Sequence, residues 1–446
     1  VNTTPGSETR LSRTLTLPSL VLFGLAYLAP LIVLGIFGVI AETTHGTASA
    51  AYLVALIAMM FTAHSYGRMA VAHPVAGSAY TYVRRSIEPR TGFLVGWTML
   101  LDYLFLPLVI WLIGGSYLTA QFPGVPIGVW VVLYMLVTTV LNVLGIQVAD
   151  KANFVLMAFQ VLVIVIFVVL CAVAVAGDRG ASGLLSVEPF WNSSTQLTAV
   201  TAGAAIAAYS FLGFDAITTL TEEAVEPKKN MPRAILLIAL IGGAIFVIVS
   251  YATQLVHPGG SFPDPDSAAS EIALQIGGAF FAAVFLAGLV IAQFASGIAA
   301  QASASRLLYA MGRDGTLPKA FFGRLNRKFH TPVLNLLLTG VIGLGGMFMD
   351  VATSTSFINF GAFIAFTAVN VSVIFHFFRE RRRGVRHSVI AYVVLPVIGA
   401  IVSVFLITRL DSNALIVGVS WFCLGVVVLG IITKGFRKAP PTMSDI

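Results

Sequence analysis

Two aspartates, Asp102 and Asp215, lie within long apolar segments, and no Lys or Arg lies deep in any such segment to neutralise them. An ionised carboxylate in hydrocarbon costs several kcal/mol unless something pairs with it, so acids at membrane depth face a bundle interior or a water-filled path. The unmatched charge points to a cationic ligand. Asp102 is followed by Tyr103. An ammonium group would make charge-assisted hydrogen bonds to the carboxylate while the ring covers neighbouring methylenes.

Asp215 ends the stretch Tyr209-Ser210-Phe211-Leu212-Gly213-Phe214-Asp215, which also carries the aromatics Tyr209 and Phe211. A buried carboxyl holds a proton more readily than an exposed one, and a bound cation displaces that proton. Protonation and cation binding at Asp215 are therefore expected to be coupled. Glu222 lies seven residues on, two helical turns along the same face, and is a candidate relay for a proton or a departing amine. A second interrupted stretch, Gly24-Leu25-Ala26-Tyr27-Leu28-Ala29-Pro30, places Ala26 and Tyr27 as substrate contacts. Side chains at 26–29 crowd an approaching carboxylate, whereas the Tyr27 ring and hydroxyl suit an ammonium. Each aromatic could instead be ordinary packing, and Asp102 could be a structural acid bonded to neighbouring helices.

These residues need helices to carry them across a bilayer. The chain is 58% hydrophobic and only 10% charged, with mean hydropathy +0.93, which excludes an ordinary soluble domain and describes a polytopic membrane protein. Twelve runs of about 20 mostly apolar residues, long enough to cross ~30 Å of hydrocarbon, recur along it. If the N-terminus is cytoplasmic, all of the 26 Lys and Arg except Arg179 and Arg409 fall on the inner side, the bias that orients membrane helices. Glu42, Asp178, Glu188, Asp264, Asp266, Glu271, Asp350 and Asp411 fall outside, where they would concentrate cations unless they merely reflect the shortage of bases there.

The expected organisation is a cytoplasmic tail over 1–17, a first repeat of five helices over 18–176, a second over 177–378, two further helices over 379–435 and a cytoplasmic tail over 436–446. Residues 1–17 are polar, without the short apolar core of a signal peptide. Gly- or Pro-interrupted segments at matching positions of two repeats mark discontinuous transporter helices. Here they fall in spans 1 and 6, five spans apart, so the repeats run in opposite directions. Cys171 and Cys423 lie in apolar spans and read as small buried hydrophobes, and no metal cluster or redox motif is present.

Three segments carry a family likeness. Pro74-Val75-Ala76-Gly77-Ser78-Ala79-Tyr80-Thr81-Tyr82 resembles the signature after the second helix of amino acid–polyamine–organocation (APC) superfamily transporters. Glu222-Glu223-Ala224-Val225-Glu226-Pro227 through Met231-Pro232-Arg233-Ala234-Ile235 resembles their loop after helix 6. Ser305-Arg306-Leu307-Leu308-Tyr309-Ala310-Met311-Gly312-Arg313-Asp314-Gly315 is similar to their helix 8 to helix 9 connection. Within the superfamily the chain is most similar to bacterial putrescine importers, through Gly24–Leu28, Ser78–Tyr82, Leu101–Pro107 and Ser210–Asp215.

That resemblance implies an all-α membrane fold of twelve helices, a five-plus-five inverted repeat of LeuT-like type with helices 1 and 6 broken, plus helices 11 and 12. It implies a place in a bacterial cytoplasmic membrane with both termini inside. It matches Asp102 and Tyr103 to helix-3 positions that line the substrate, Tyr209 to an aromatic lid with Phe211 as a second wall, and Asp215 to a position where many relatives carry a proton-linked Glu. The Gly-rich helix-1 turn that holds a substrate carboxylate in amino acid transporters is replaced here by Ala26-Tyr27-Leu28-Ala29-Pro30. Gln160 stands where some proton-coupled relatives have a helix-5 lysine. Gln293, Ser296 and Ser303 are polar candidates for the path or for helix packing, and His64 reads as structural.

The expectation is therefore a secondary transporter that imports putrescine or a similar small polyamine by alternating access, driven by membrane potential, protons or both. The alternative is an APC-type permease for cationic or neutral amino acids. No cofactor, metal or nucleic acid is called for; protons are candidate co-substrates, and the chain would work in the bilayer as a monomer or weak homodimer. An enzyme would need a nucleophile–base or metal constellation, and a channel a filter loop repeated around a pore. Neither pattern is present in this sequence.

Overall fold

The computed structural model describes residues 14–74, 78–144, 150–221, 223–313, 317–326, 329, 331–438 and 440. Among the described residues there is no strand, only an isolated parallel bridge between Leu15 and Ala224. In hydrocarbon an apolar segment can satisfy its backbone only as a helix, so the long apolar runs become helices. Eleven are long and apolar enough to cross a membrane: Leu17–Gly35, Ala48–Ala72, Pro89–Gln121, Ile127–Leu144, Met157–Arg179, Leu197–Thr218, Pro227–Val256, Pro265–Tyr309, Val351–Arg382, Ile390–Ile407 and Ser412–Ile432. A shorter apolar helix, Val333–Phe348, lies between the eighth and the ninth of these and completes the expected twelve spans. The protein is thus an all-α, multi-pass membrane protein, and spans are numbered below in chain order.

Spans 3, 6 and 10 form the middle of the bundle, and spans 4, 8, 11 and 12 its apolar outer surface. In the most apolar 18-residue stretch of span 10, 72% of the residues are buried, against 17% in that of span 12. Span 12 turns Ile416, Val419, Leu424, Val427 and Ile431 outward, as a lipid-facing helix must. Cys423 is exposed on that helix while Cys171 is buried, so the expectation of two buried cysteines holds for Cys171 alone. Apolar composition cannot separate a core-facing from a lipid-facing position, because both avoid water.

Both expected breaks occur. In span 1 the helix Leu17–Leu28 stops at Ala29, whose φ of 47° is left-handed, and Pro30 has no N–H to continue the ladder. A short turn, Ile32–Gly35, and a second piece, Phe37–Thr43, complete the crossing. In span 6 the α-helix Leu197–Ala207 gives way to 3₁₀ turns, Ala208–Phe211 and Ala216–Leu220. Between them Gly213 has φ +108°, a conformation that favours glycine. Asn359 of span 10 braces the first half of span 6, donating from Nδ2 to the Ala205 carbonyl at 2.7 Å.

Two connections tie the basic end of the bundle together. The linking helix Ser78–Ser86, between spans 2 and 3, is held by Arg379 of span 10, whose guanidinium donates to the Arg85 and Ser86 carbonyls at 2.7 and 2.9 Å. The N-terminal segment is not free at its inner edge: Thr14 and Leu15 both donate to the Glu223 carbonyl at 3.0 Å, and Val225 donates back to Leu15 at 2.9 Å. His64 has the structural role expected of it, its Nε2 lying 2.8 Å from the Ala391 carbonyl.

Candidate functional site

Span 6 is irregular but not bare. The carbonyls of Tyr209, Phe211, Gly213 and Asp215 accept from the N–H three residues ahead, at 3.1, 3.3, 3.0 and 2.9 Å. These local bonds satisfy groups that a clean helix break would leave open. The carbonyls of Tyr209, Phe211, Gly213 and Asp215 are thereby occupied within the chain.

The two breaks touch. A Cβ placed on Gly213 would lie 2.1 Å from Cδ1 of Tyr27, so the Tyr27 ring of span 1 rests directly on the glycine of span 6. Only a residue without a side chain permits that approach, and the left-handed φ makes the same demand. Tyr27 and Tyr103 lie within electrostatic reach of both Asp102 and Asp215, and Tyr209 within reach of Asp102. The two carboxyls are also within reach of each other. Five of the residues singled out in the sequence, from three different spans, therefore converge.

The carboxyls are supported differently. Asp102 sits in the unbroken helix Pro89–Gln121 and is half-buried, and its Oδ1 is shielded from solvent with no hydrogen-bond partner among the described residues. A buried acceptor without a partner carries a desolvation cost of about 1–3 kcal/mol, more when charged, that a donor would relieve. Span 10 crosses close behind it, a Cβ on Gly361 lying 2.8 Å from the Thr98 carbonyl and 3.5 Å from the Asp102 nitrogen. Asp215 is likewise half-buried, but its Oδ2 accepts from the Ser78 hydroxyl at 3.2 Å. Tyr66 and Tyr82 stand within electrostatic reach of Asp215, with Tyr66 edge-on to Phe214 at 5.6 Å and to Tyr82 at 6.1 Å. Asp215 thus lies between the Tyr27–Asp102 side and a cage contributed by span 2 and the linking helix.

Broken spans 1 and 6 touch at Tyr27 and Gly213, with acids of spans 3 and 6 nearby, an arrangement of discontinuous helices such as secondary transporters use. The profile of the amino acid permease family matches residues 20–438. The chain belongs to the amino acid permease family. This permease is 40% identical over 448 residues to the low-affinity putrescine importer PlaP of Escherichia coli strain K12, covering 100% of this chain and 99% of that protein. It is 26% identical to the methylthioribose transporter of Bacillus subtilis strain 168, over 94% of this chain and 93% of that one. It is 23% identical to the branched-chain amino acid permease BcaP of the same strain, over 87% and 86%.

The remaining candidates are distributed as follows. Ala26 is half-buried, one residue before the Tyr27 ring. Tyr209 is buried near Asp102. Phe211 is fully buried and packs edge-on against Phe246 of span 7 at 5.2 Å. Glu222 lies outside the described residues, as do residues 75–77 of the signature after span 2. Gln160 is buried, and its Oε1 has no partner among the described residues. Gln293 is buried, its amide nitrogen 3.7 Å from where a Cβ on Gly35 would stand. Ser78, Tyr66 and Tyr82 were not singled out as site residues. The signal for Ser78 and Tyr82 is the Ser-Ala-Tyr-Thr-Tyr motif, which marks the family without saying what it touches, and Tyr66 of span 2 has none.

Proposed function

We propose that this permease imports putrescine or a similar small diamine, with Asp102 and Asp215 each taking one ammonium group. The observation that carries this reading is a pair of intramembrane carboxyls among tyrosines, one with a shielded oxygen that no described residue partners. The full-length likeness to a putrescine importer supports it. Putrescine's four carbons hold its nitrogens roughly 6 Å apart by ordinary covalent geometry, a span suited to two acceptors on separate helices. Tyr27, Tyr103 and Tyr209 would face the methylenes and ammonium groups with their rings, and Ala26 would leave room beside Tyr27. Ala29-Pro30 in place of a glycine turn disfavours a substrate carboxylate.

In the proposed orientation both termini are cytoplasmic and the protein lies in a bacterial inner membrane. A doubly charged diamine entering a cell at about 100 mV negative inside gains about 4.6 kcal/mol from the field, worth more than a thousandfold accumulation. Import thus needs no further coupling ion. Asp215 is the candidate switch: it can exchange the Ser78 hydroxyl for an ammonium or a proton, which would link occupancy to movement at the break. Glu222 is kept as a candidate relay toward the cytoplasm.

Uptake of labelled putrescine into proteoliposomes under an inside-negative diffusion potential tests the reading. Saturable uptake that rises with the potential is expected, competed more strongly by diamines than by arginine, lysine or leucine. No uptake above empty vesicles would sink it, and preferential competition by an amino acid would favour an amino acid permease.

A further inference from the structure

We propose that a groove at the basic end of span 10 is a binding site for an anionic phospholipid, with its phosphate on Arg382 and Arg383 and an acyl chain along Phe375 and Phe378. The groove encloses ≈ 560 Å³ and is lined by Ser86, Ile374, Phe375, Phe378, Arg379, Arg382 and Arg383. Phe375, Phe378, Arg379 and Arg382 are spaced three, four and seven residues apart, so they lie on one face of a helix. That face changes from aromatic to cationic over about two turns, as a surface crossing from acyl chains to headgroups would. Phe375 and Phe378 are 50% and 51% exposed, an arrangement that water would penalise and lipid would not.

The arginines have separate duties. Arg379 spends its guanidinium on the Arg85 and Ser86 carbonyls and forms the floor of the groove. Arg383 pairs with Glu380 at 3.0 Å while its side chain stays 68% exposed, which leaves donors facing outward. Arg382 is exposed and makes no ion pair or side-chain hydrogen bond among the described residues. A guanidinium presents a fork of donors matched to phosphate oxygens. Basic pockets on the inner side of membrane helices hold acidic headgroups in this way. A free phosphate ion would use the arginines but gain nothing from the aromatic wall, so both halves together select a phospholipid.

Native mass spectrometry of the delipidated full chain, titrated with phosphatidylglycerol or with phosphatidylcholine of the same acyl chains, tests the proposal. Phosphatidylglycerol should bind preferentially. R382Q/R383Q should weaken it about tenfold or more, and F375A/F378A should weaken both lipids. The control R324Q/R386Q removes equal charge from the same side outside the groove and should leave binding unchanged. Because Arg382 supports no part of the fold, R382Q alone serves if the double variant is not monodisperse. The proposal is overturned if the two lipids bind equally, or if the control loses as much as R382Q/R383Q. It is also overturned if millimolar inorganic phosphate displaces the lipid while F375A/F378A binds normally, since the site would then belong to a free anion.

Discussion

Asp102 and Asp215 are the same residue at comparable depth, yet the surroundings of one are rigid and those of the other are built to change. Asp102 projects from a continuous 33-residue helix, and its shielded oxygen has no partner among the described residues. Asp215 lies between two 3₁₀ turns, beside a glycine in a left-handed conformation, and already holds the Ser78 hydroxyl. A regular helix fixes where a charge stands, whereas an irregular segment with short local hydrogen bonds can rearrange at small cost. The contrast underlies our proposal that the first acid recognises the substrate and the second responds to it.

The largest effect expected from that contrast is at Asp102. Asp102→Asn should weaken putrescine binding to the purified permease by a hundredfold or more, on the order of the 3–5 kcal/mol lost when a buried pair loses one member. Thermal stability should not fall, because this carboxyl oxygen supports no described residue and a neutral amide is less costly to bury than a charge. Asp215→Asn keeps an oxygen for Ser78 but loses the charge, so it should reduce transport more than binding. Equal binding losses in the two variants would erase the distinction.

Next in size is the contact between the breaks. Gly213→Ala places a Cβ against the Tyr27 ring at a φ that costs a non-glycine residue about 1–3 kcal/mol. The melting temperature should fall, and Tyr27→Ala in the same chain should recover only the collision. Complete recovery would show that the left-handed backbone carries no cost there.

Ser78→Ala probes the response side more gently. A hydrogen bond to a charged group contributes about 1.5–3 kcal/mol, and here the hydroxyl competes with an arriving ammonium. Removing it should tighten binding about tenfold and slow release, lowering KM and kcat together. A rise in KM would mean that Ser78 helps to hold the substrate.

The smallest effect is expected at His73, which follows the C-terminal end of span 2 with Nε2 3.3 Å from the Ser86 hydroxyl. Burial first, then His376, Arg85 and Arg379, pushes its pKa down to about 4. Its contribution to stability is intact above the ordinary histidine value near 6.5 and is lost as pH falls toward 4. His73 therefore stays neutral between about pH 5.5 and 8, and His73→Gln should leave the pH profile of uptake unmoved. A shifted profile would take proton sensing away from the carboxyl pair.

Much of this was legible along the chain because hydrocarbon imposes a simple rule: twenty apolar residues make a helix, and Gly, Pro or an acid inside such a run needs a reason. The breaks at Ala29-Pro30 and Gly213 and the convergence of Tyr27, Asp102, Tyr103, Tyr209 and Asp215 follow patterns visible in the sequence. The packing of Phe211 against Phe246 did not, because it depends on a residue of another helix, 35 positions away. Cys423 did not, because lipid and protein core make the same demand on composition. The bond from Ser78 to Asp215 joins residues 137 positions apart, and no local pattern reports it.

By itself the sequence determined how many times the chain crosses the bilayer, where its helices break and that two acids lack a basic partner nearby in the chain. All of these are consequences of solvent and backbone chemistry acting over a few turns. The tertiary structure alone decided which acid stays unpartnered, that the Tyr27 ring rests on Gly213, and that an aromatic and basic face is left open beside the linking helix. Those depend on how helices pack, and packing is set by the shapes of residues remote in the chain.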